Sequence, residues 1–171
     1  MSISRMNNWS IELEDLLNKQ INTELNASHT YLYLSTLFSH DSVGYPNIGE
    51  FLKKESREET KHATIFIDYQ IMRGGHVVLG DLHNPIFELL DNGESNLLQL
   101  FRYILKMEQS VYESIINISN NNTDNGLQTL LDDFIKEQLD SQYKLGIIIK
   151  QLELIGNNPS NLYDFYRSFN I

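Results

Sequence analysis

The chain has 171 residues, of which 41% are hydrophobic and 11% aromatic, so it suits one domain with a sizeable core and lacks the composition of a disordered protein. Its formal net charge is -10 at pH 7. Long-range attraction to nucleic acid or to an anionic membrane is therefore not expected, whereas cationic partners, metal ions included, are favoured. Because cysteine is absent, the sequence excludes disulfides, thiolate zinc sites and cysteine nucleophiles.

The opening segment, MSISRMNNWSIELEDLL, lacks the apolar core of a signal peptide. No apolar run approaches the roughly 18 residues that a membrane-spanning helix needs. We therefore expect a soluble protein with no membrane partner, and we predict a cytoplasmic location.

Hydrophobic periodicity predicts four long helices, and none of the three prolines falls inside them. Gly74 and Gly75 end the second helix, and the turn-forming sequence NNNTDNG ends the third. The predicted ranges are about 11–39, about 48–73, from about 95 to the NNNTDNG turn, and about 127–155, with a short fifth helix at about 160–170.

Each long helix carries apolar residues at spacings of three and four, which predicts one buried face. The residues assigned to these inward stripes are Leu13, Leu17, Ile21, Ser28 and Tyr31 in the first helix; Leu52 and Phe66 in the second; Leu97, Phe101, Ile104, Val111 and Ile115 in the third; and Leu130, Leu131, Phe134, Leu145, Ile148 and Leu152 in the fourth.

The connection between the second and third helices, HVVLGDLHNPIFELLDNGE, has no sustained helical period, although its HVVL start suits a brief extended segment. A helix of about 27 residues is roughly 40 Å long, and an extended connection of about 20 residues can span more than that. The sequence therefore predicts an all-α fold, a four-helix bundle with one long crossover, over residues 1–171 as a single domain. The bundle covers about 10–156.

Several ionisable residues fall on the apolar stripes, where a solvated face should have none. In the first helix Glu24 lies three residues after Ile21 and seven before Tyr31. In the second, Glu59 lies between Leu52 and Phe66 at heptad spacing, and His62 follows one turn later. These side chains are predicted to point into the bundle.

The third and fourth helices add polar groups to the same interior. Glu108 lies four residues after Ile104, and Gln138 lies four after Phe134, with Glu137 beside it. Buried carboxylates without partners cost several kcal/mol each, so this pattern favours compensation by divalent metal ions.

Two metal ions fit the pattern best. Carboxylate bundles that hold two irons or two manganese ions use a Glu from each of two helices and a Glu-x-x-His from each of the other two. Glu24 and Glu108 match the first pair, and Glu59-x-x-His62 matches one of the second. The fourth helix offers Glu137, Gln138 and Asp140 but no histidine, so we expect the second metal to be held less tightly.

These segments resemble those of the ferritin family in order and spacing. The resemblance rests on INTELNASHTYLYL, EETKH, RGG, KMEQSV and the EQ pair at 137–138, and it extends over about residues 11–156. It implies iron storage and detoxification by a ferroxidase, which binds two Fe(II) per subunit, oxidises them with dioxygen and passes Fe(III) to a mineral core. It also implies a homo-oligomeric shell of twenty-four subunits.

The resemblance assigns roles to individual residues. Glu59 is expected to bridge the two irons, with Glu24 and His62 completing the first, tighter site. Glu108 and Gln138 are expected to hold the second, looser iron. Tyr31 is expected to be the family's site tyrosine, which hydrogen-bonds or supplies an electron.

A third, transit iron site is implied by likeness to prokaryotic ferritins. It would use Glu58, Glu137 and Asp140. Periodicity alone places Glu58 on the surface, so its assignment stays open between the two. The neighbouring Lys53, Lys54, Glu55, Arg57 and Lys61 are interpreted as a solvated face.

The chain also departs from the family pattern. Thr60 stands where haem-binding relatives carry methionine, so no haem is expected. Gln128 and Leu131 stand at the acidic pore positions of animal ferritins, which leaves the route of iron into the shell open, with Asp132 and Asp133 as nearby substitutes. Lys61 and Thr64 stand where animal heavy chains carry cavity-facing acidic residues, so we expect mineral nucleation to differ.

Three alternatives belong to other classes. A non-catalytic shell or storage subunit with a degenerate site would lack several ligands, whereas this sequence keeps the principal ones. A metal-free helical adaptor would leave buried carboxylates on three helices without partners. An oxidase or reductase acting on organic substrates would need the second Glu-x-x-His motif.

Overall fold

The computed structural model describes Ile3, Arg5 and residues 9–169, and five helices with no β-strand make up the secondary structure of that part of the chain. The helices are α1 (Ile11–Ser39), α2 (Pro46–Met72), α3 (Asn96–Asn121), α4 (Asn125–Ile155) and α5 (Pro159–Ser168). The predicted all-α fold is confirmed. The predicted end of the last helix at residue 170 lies outside the described residues.

Caps explain where the long helices begin and end. Ser10, Ser95 and Asp124 each accept a hydrogen bond from the backbone N–H three residues later, at the starts of α1, α3 and α4. α2 begins with Pro46, whose fixed φ suits the first turn of a helix. Gly156 ends α4 with φ 63°, in the region that favours glycine. With these starts, α2 and α4 each begin two residues before the position that apolar periodicity predicts.

The long crossover joins two helix pairs. α1 packs mainly against α2, and α3 against α4. Asn18, Asn22 and Asn26, one turn apart on α1, hydrogen-bond to the backbone of residues 76–83 at 2.6–2.9 Å. These side-chain amides pair with backbone groups that a neighbouring β-strand would otherwise pair with. The segment therefore runs along α1 without forming a β-strand.

Two clusters of buried apolar side chains fill the bundle. The first includes Phe38, Leu52 and Phe101, and the second includes Phe66 and Phe134. Along α2, α3 and α4, buried polar residues fall between the two clusters. The bundle interior therefore has a polar layer between two apolar ends.

Two residues assigned to the inward stripe of α4 lie at its edge. Leu130 and Ile148 pack against the core clusters but are only half-buried, whereas Ile149 is buried together with Leu145 and Leu152. The stripe drifts because 3.6 residues per turn do not repeat evenly over a helix of 31 residues. Among the described helices, none has the length and hydropathy needed to cross a membrane.

Candidate metal centre

The polar layer receives side chains from all four long helices. α1 contributes Glu24, α2 contributes Glu59 and His62, α3 contributes Glu108, and α4 contributes Gln138. Each of these residues is at most 9% exposed. The structure thus brings together five of the residues that the sequence singled out.

Glu24, Glu59 and His62 form the tightest group, which we call the first half of the centre. Each offers one potential ligand atom, and these atoms lie within 4.8 Å of one another. Nδ1 of His62 lies 3.0 Å from Oε2 of Glu59. Oε1 of Glu24 accepts a hydrogen bond from the amide of Gln20 at 2.6 Å, and its other oxygen has no partner among the described residues.

Glu108 and Gln138 form the second half of the centre. The Gln138 amide donates to Oε2 of Glu108 at 2.8 Å, and the Tyr31 hydroxyl donates to Oε1 of the same carboxylate. Oε1 of Gln138 is buried and has no partner within the described part of the chain. A buried oxygen of this kind is a suitable metal ligand because nothing else satisfies it.

The carboxylates of the first half are hard to ionise together. Burial raises the pKa of Glu24 well above its ordinary value, and the charge of Glu59 raises it further. Burial and then the charge of Glu108 raise the pKa of Glu59 to about 8. At neutral pH the pair therefore retains a proton in the metal-free protein, and a divalent cation would displace it.

Tyr31 is held as a neutral phenol. Burial, followed by the charge of Glu108, raises the pKa of its hydroxyl well above the ordinary value. Because the hydroxyl stays protonated, it can donate its hydrogen bond to Glu108 throughout the physiological pH range.

The residues assigned to a transit site lie at the opening of this layer. Glu137 is exposed, but its Oε1 lies 3.4 Å from Nε2 of His62. Asp140 is also exposed, and the half-buried Glu58 pairs with Lys61 Nζ at 2.7 Å. All three acidic residues line the same cavity as Glu59 and Glu108, which measures about 820 Å³. They are near the centre without belonging to its buried core.

Sequence reasoning missed two residues. Gln20, which fixes one oxygen of Glu24, sits one turn before it on the same stripe, and that spacing was the available signal. Glu55 was assigned to the solvated face, and this is wrong: it is half-buried and lines the cavity beside Glu59. It lies one turn before Glu59, at the edge of the stripe.

The donor set consists of carboxylate oxygens, one amide oxygen and one imidazole. Such ligands suit divalent first-row metals, and no thiolate is present to select zinc or copper(I). Together, the fold and the layer define a four-helix bundle with an internal carboxylate and histidine site suited to metal.

A family model of the ferritin-like domain matches residues 14–155. The chain therefore belongs to the ferritin family. It is similar to the ferritin heavy chain of Echinococcus granulosus, with 35% identity over 160 residues that cover 91% of this chain and 90% of the relative. It is 32% identical to the ferritin middle subunit of Aquarana catesbeiana, over 87% of this chain and 85% of that one.

Plant and algal ferritins are also similar. Chloroplastic ferritin-3 of Vigna unguiculata is 32% identical over 91% of this chain, but the match spans only 62% of the relative's length. The crystal structure of ferritin from the green alga Ulva pertusa superposes with a TM-score of 0.90 at 28% identity. That match covers 97% of this chain and 86% of the algal one.

Proposed function

We propose that this protein stores and detoxifies iron and that each chain oxidises Fe(II) with dioxygen at a two-iron centre. The observation that carries the proposal is the buried group of Glu24, Glu59 and His62, whose potential ligand atoms lie within 4.8 Å of one another. Within the described residues, His62 is the only basic side chain paired with a carboxylate of this group. A divalent substrate ion supplies the missing positive charge.

In the proposed centre Glu59 bridges the two irons. Glu24 and His62 complete the first iron site, and Glu108 with Gln138 holds the second. Support comes from the position of Glu59. Its carboxylate contacts His62 in the first half, and the charge of Glu108 in the second half raises its pKa. Carboxylates bind both Fe(II) and Fe(III), and they can change their mode of coordination as the metal is oxidised.

The proton held by the carboxylate pair must leave when iron binds. Uptake of Fe(II) is then accompanied by proton release, and each Fe(II) subsequently gives one electron to dioxygen. The phenol of Tyr31, held against Glu108, is positioned to hydrogen-bond to a ligand of the second iron or to supply an electron.

A transit site at Glu58, Glu137 and Asp140 remains part of the proposal. The cavity that these residues line leads to His62 and Glu59. The pairing of Lys61 with Glu58 lowers the pKa of that carboxyl, so Glu58 is ionised at neutral pH, and Fe(II) would bind there in place of the Lys61 ammonium.

A shell of twenty-four subunits is likewise proposed. Support comes from apolar side chains that stay exposed on the single chain, since a shell would cover them. Those on the crossover are Val78, Leu79, Leu82, Ile86 and Leu90. A location in the cytoplasm and the absence of haem stay predictions, and several relatives are named as chloroplastic.

The direct test compares the wild-type chain with a Glu59→Ala, His62→Ala double variant. Fe(II) is added without oxygen, air is admitted, and the diferric absorbance is followed. We expect the double variant to oxidise iron at least about 100-fold more slowly, because it lacks the bridge and the imidazole. Equal rates would contradict the ferroxidase proposal and favour a non-catalytic shell subunit with a degenerate site.

Particle sizing is the second measurement, and a monomer of 19.9 kDa would argue against storage.

A further inference from the structure

Glu55 lines the cavity of the candidate centre, but none of the roles proposed above is assigned to its carboxylate. It lies four residues before Glu59 and seven before His62 on α2, so the three side chains share one face of the helix. It is half-buried, and it lines the cavity of about 820 Å³ together with Glu108 and Gln138. Within the described residues no hydrogen bond or ion pair occupies its oxygens.

Among the charged groups around Glu55, Glu108 of the second half has the largest effect on its carboxyl. Burial raises the pKa of the Glu55 carboxyl, and the next largest cause is the charge of Glu108. The charge of Glu55 in turn contributes to the raised pKa values of Glu59 and Tyr31. The like charges of Glu55 and Glu108 repel each other, and a cation bound between them would remove that repulsion.

The second half has an independent feature that points to a ligand. Oε1 of Gln138 is buried and has no partner among the described residues, and Gln138 is one of the residues that line the same cavity. Gln138 is 4% exposed, so water does not easily satisfy this oxygen. Both oxygens of Glu108 accept hydrogen bonds, from Tyr31 and from Gln138 itself.

We propose that Glu55 is a further iron ligand, which supplies a carboxylate to the ion held by Glu108 and Gln138. The inference rests on the proposed two-iron function and adds a residue to it. Two Fe(II) ions bring four positive charges, whereas Glu24, Glu59 and Glu108 supply three negative charges. Ionised Glu55 makes the loaded centre neutral, so the second ion is held more tightly than Glu108 and Gln138 alone would hold it.

The test measures metal binding by the full-length protein without oxygen, with Co(II) as a probe that is not oxidised under these conditions. Calorimetry and the visible absorbance of Co(II) follow each equivalent in the wild type, in Glu55→Gln and in Glu50→Gln. Glu50 is a matched control because it is an exposed glutamate on the same helix. Circular dichroism verifies that each variant is folded.

We expect Glu55→Gln to weaken the second equivalent at least about tenfold and to leave the first unchanged. Glu50→Gln should bind both ions as the wild type does. Glu55→Asp, which keeps the charge on a shorter side chain, should fall between the wild type and Glu55→Gln. Unchanged binding of both ions by Glu55→Gln would refute the role of Glu55 and leave the proposed function standing, whereas a wild type that binds no Co(II) would refute the proposed function itself.

A crystal structure of the wild type with Zn(II) supplies a measurement that does not depend on variants. A carboxylate oxygen of Glu55 is expected at about 2.0–2.2 Å from one of the two ions. Two bound ions with the Glu55 side chain turned away from both would also overturn the inference.

Discussion

The two halves of the candidate centre satisfy their carboxylates in different ways. In the first half Glu24 and Glu59 lie against each other, and one oxygen of Glu24 has no partner among the described residues. In the second half Glu108 accepts hydrogen bonds from Tyr31 and Gln138 at its two oxygens. The first half therefore lacks a positive charge, whereas the carboxylate of the second half is satisfied by neutral donors before any ion arrives. This difference predicts tighter metal binding and greater metal dependence in the first half.

The largest expected effect is on the pH dependence of stability in the metal-free protein. Glu59, with its pKa raised to about 8 from an ordinary 4.5, keeps a proton in the folded chain that the unfolded chain loses. Stability should therefore fall as pH rises from about 4.5 to about 8, by up to about 1.4 kcal/mol per pH unit for each retained proton. Unfolding midpoints across this range measure the slope.

The isosteric variant Glu24→Gln serves as the comparison for that slope. It removes one of the two competing charges, so it should flatten the pH dependence and stabilise the metal-free protein at pH 7. Glu108→Gln should also flatten it, because the charge of Glu108 is, after burial, the largest cause of the raised pKa of Glu59. The same slope in wild type and Glu24→Gln would contradict this account.

Loss of a first-half ligand should have the next largest effect. Glu24→Ala removes a buried carboxylate from the tightest group, and we expect binding of the first Co(II) to weaken about 100-fold. Anaerobic titration measures the change. Glu12→Ala, an exposed glutamate at the start of the same helix, should bind like the wild type. A Glu24→Ala chain that keeps its tight equivalent would place the first ion elsewhere.

Loss of the second-half carboxylate should have a smaller effect. Glu108→Ala should weaken the second Co(II) about tenfold and spare the first, since the remaining ligands of the first ion stay in place. Glu113→Ala on the exposed face of α3 is the control. If both equivalents weakened together, the two halves would act as one site and the comparison would fail.

The smallest effect is expected at Tyr31. Tyr31→Phe removes one hydrogen bond to Glu108, so stability should fall by about 1 kcal/mol and the affinity for both ions should change little. Stopped-flow absorbance should nevertheless show iron oxidation slowed several-fold if the phenol supplies an electron or orients a ligand. Tyr33→Phe, at a more exposed position of α1, controls for loss of a hydroxyl. Identical oxidation rates in the two variants would assign Tyr31 to packing.

Helical periodicity was sufficient to place the principal residues of the centre. Glu24, Glu59 and Glu108 all occupy stripe positions flanked by apolar residues at spacings of three, four or seven, and all three are buried. His62 and Gln138 follow the same rule. The residues at the edges of the stripes were harder to assign from the sequence, because a small rotation of the helix moves an edge residue between cavity and solvent. Glu55 and Glu137 are of this kind, and they lie half-buried and exposed, respectively.

The sequence by itself determined four long helices, one long crossover, and an acidic, cysteine-free interior suited to metal, because these follow from local periodicity, turn residues and composition. Only the tertiary structure decided which inward groups meet. The hydrogen bond from Tyr31 to Glu108 joins residues 77 positions apart, and the cavity that takes in Glu55 opens between α2 and α4. Such contacts depend on the rotation and separation of packed helices, and side-chain packing across the whole bundle sets both.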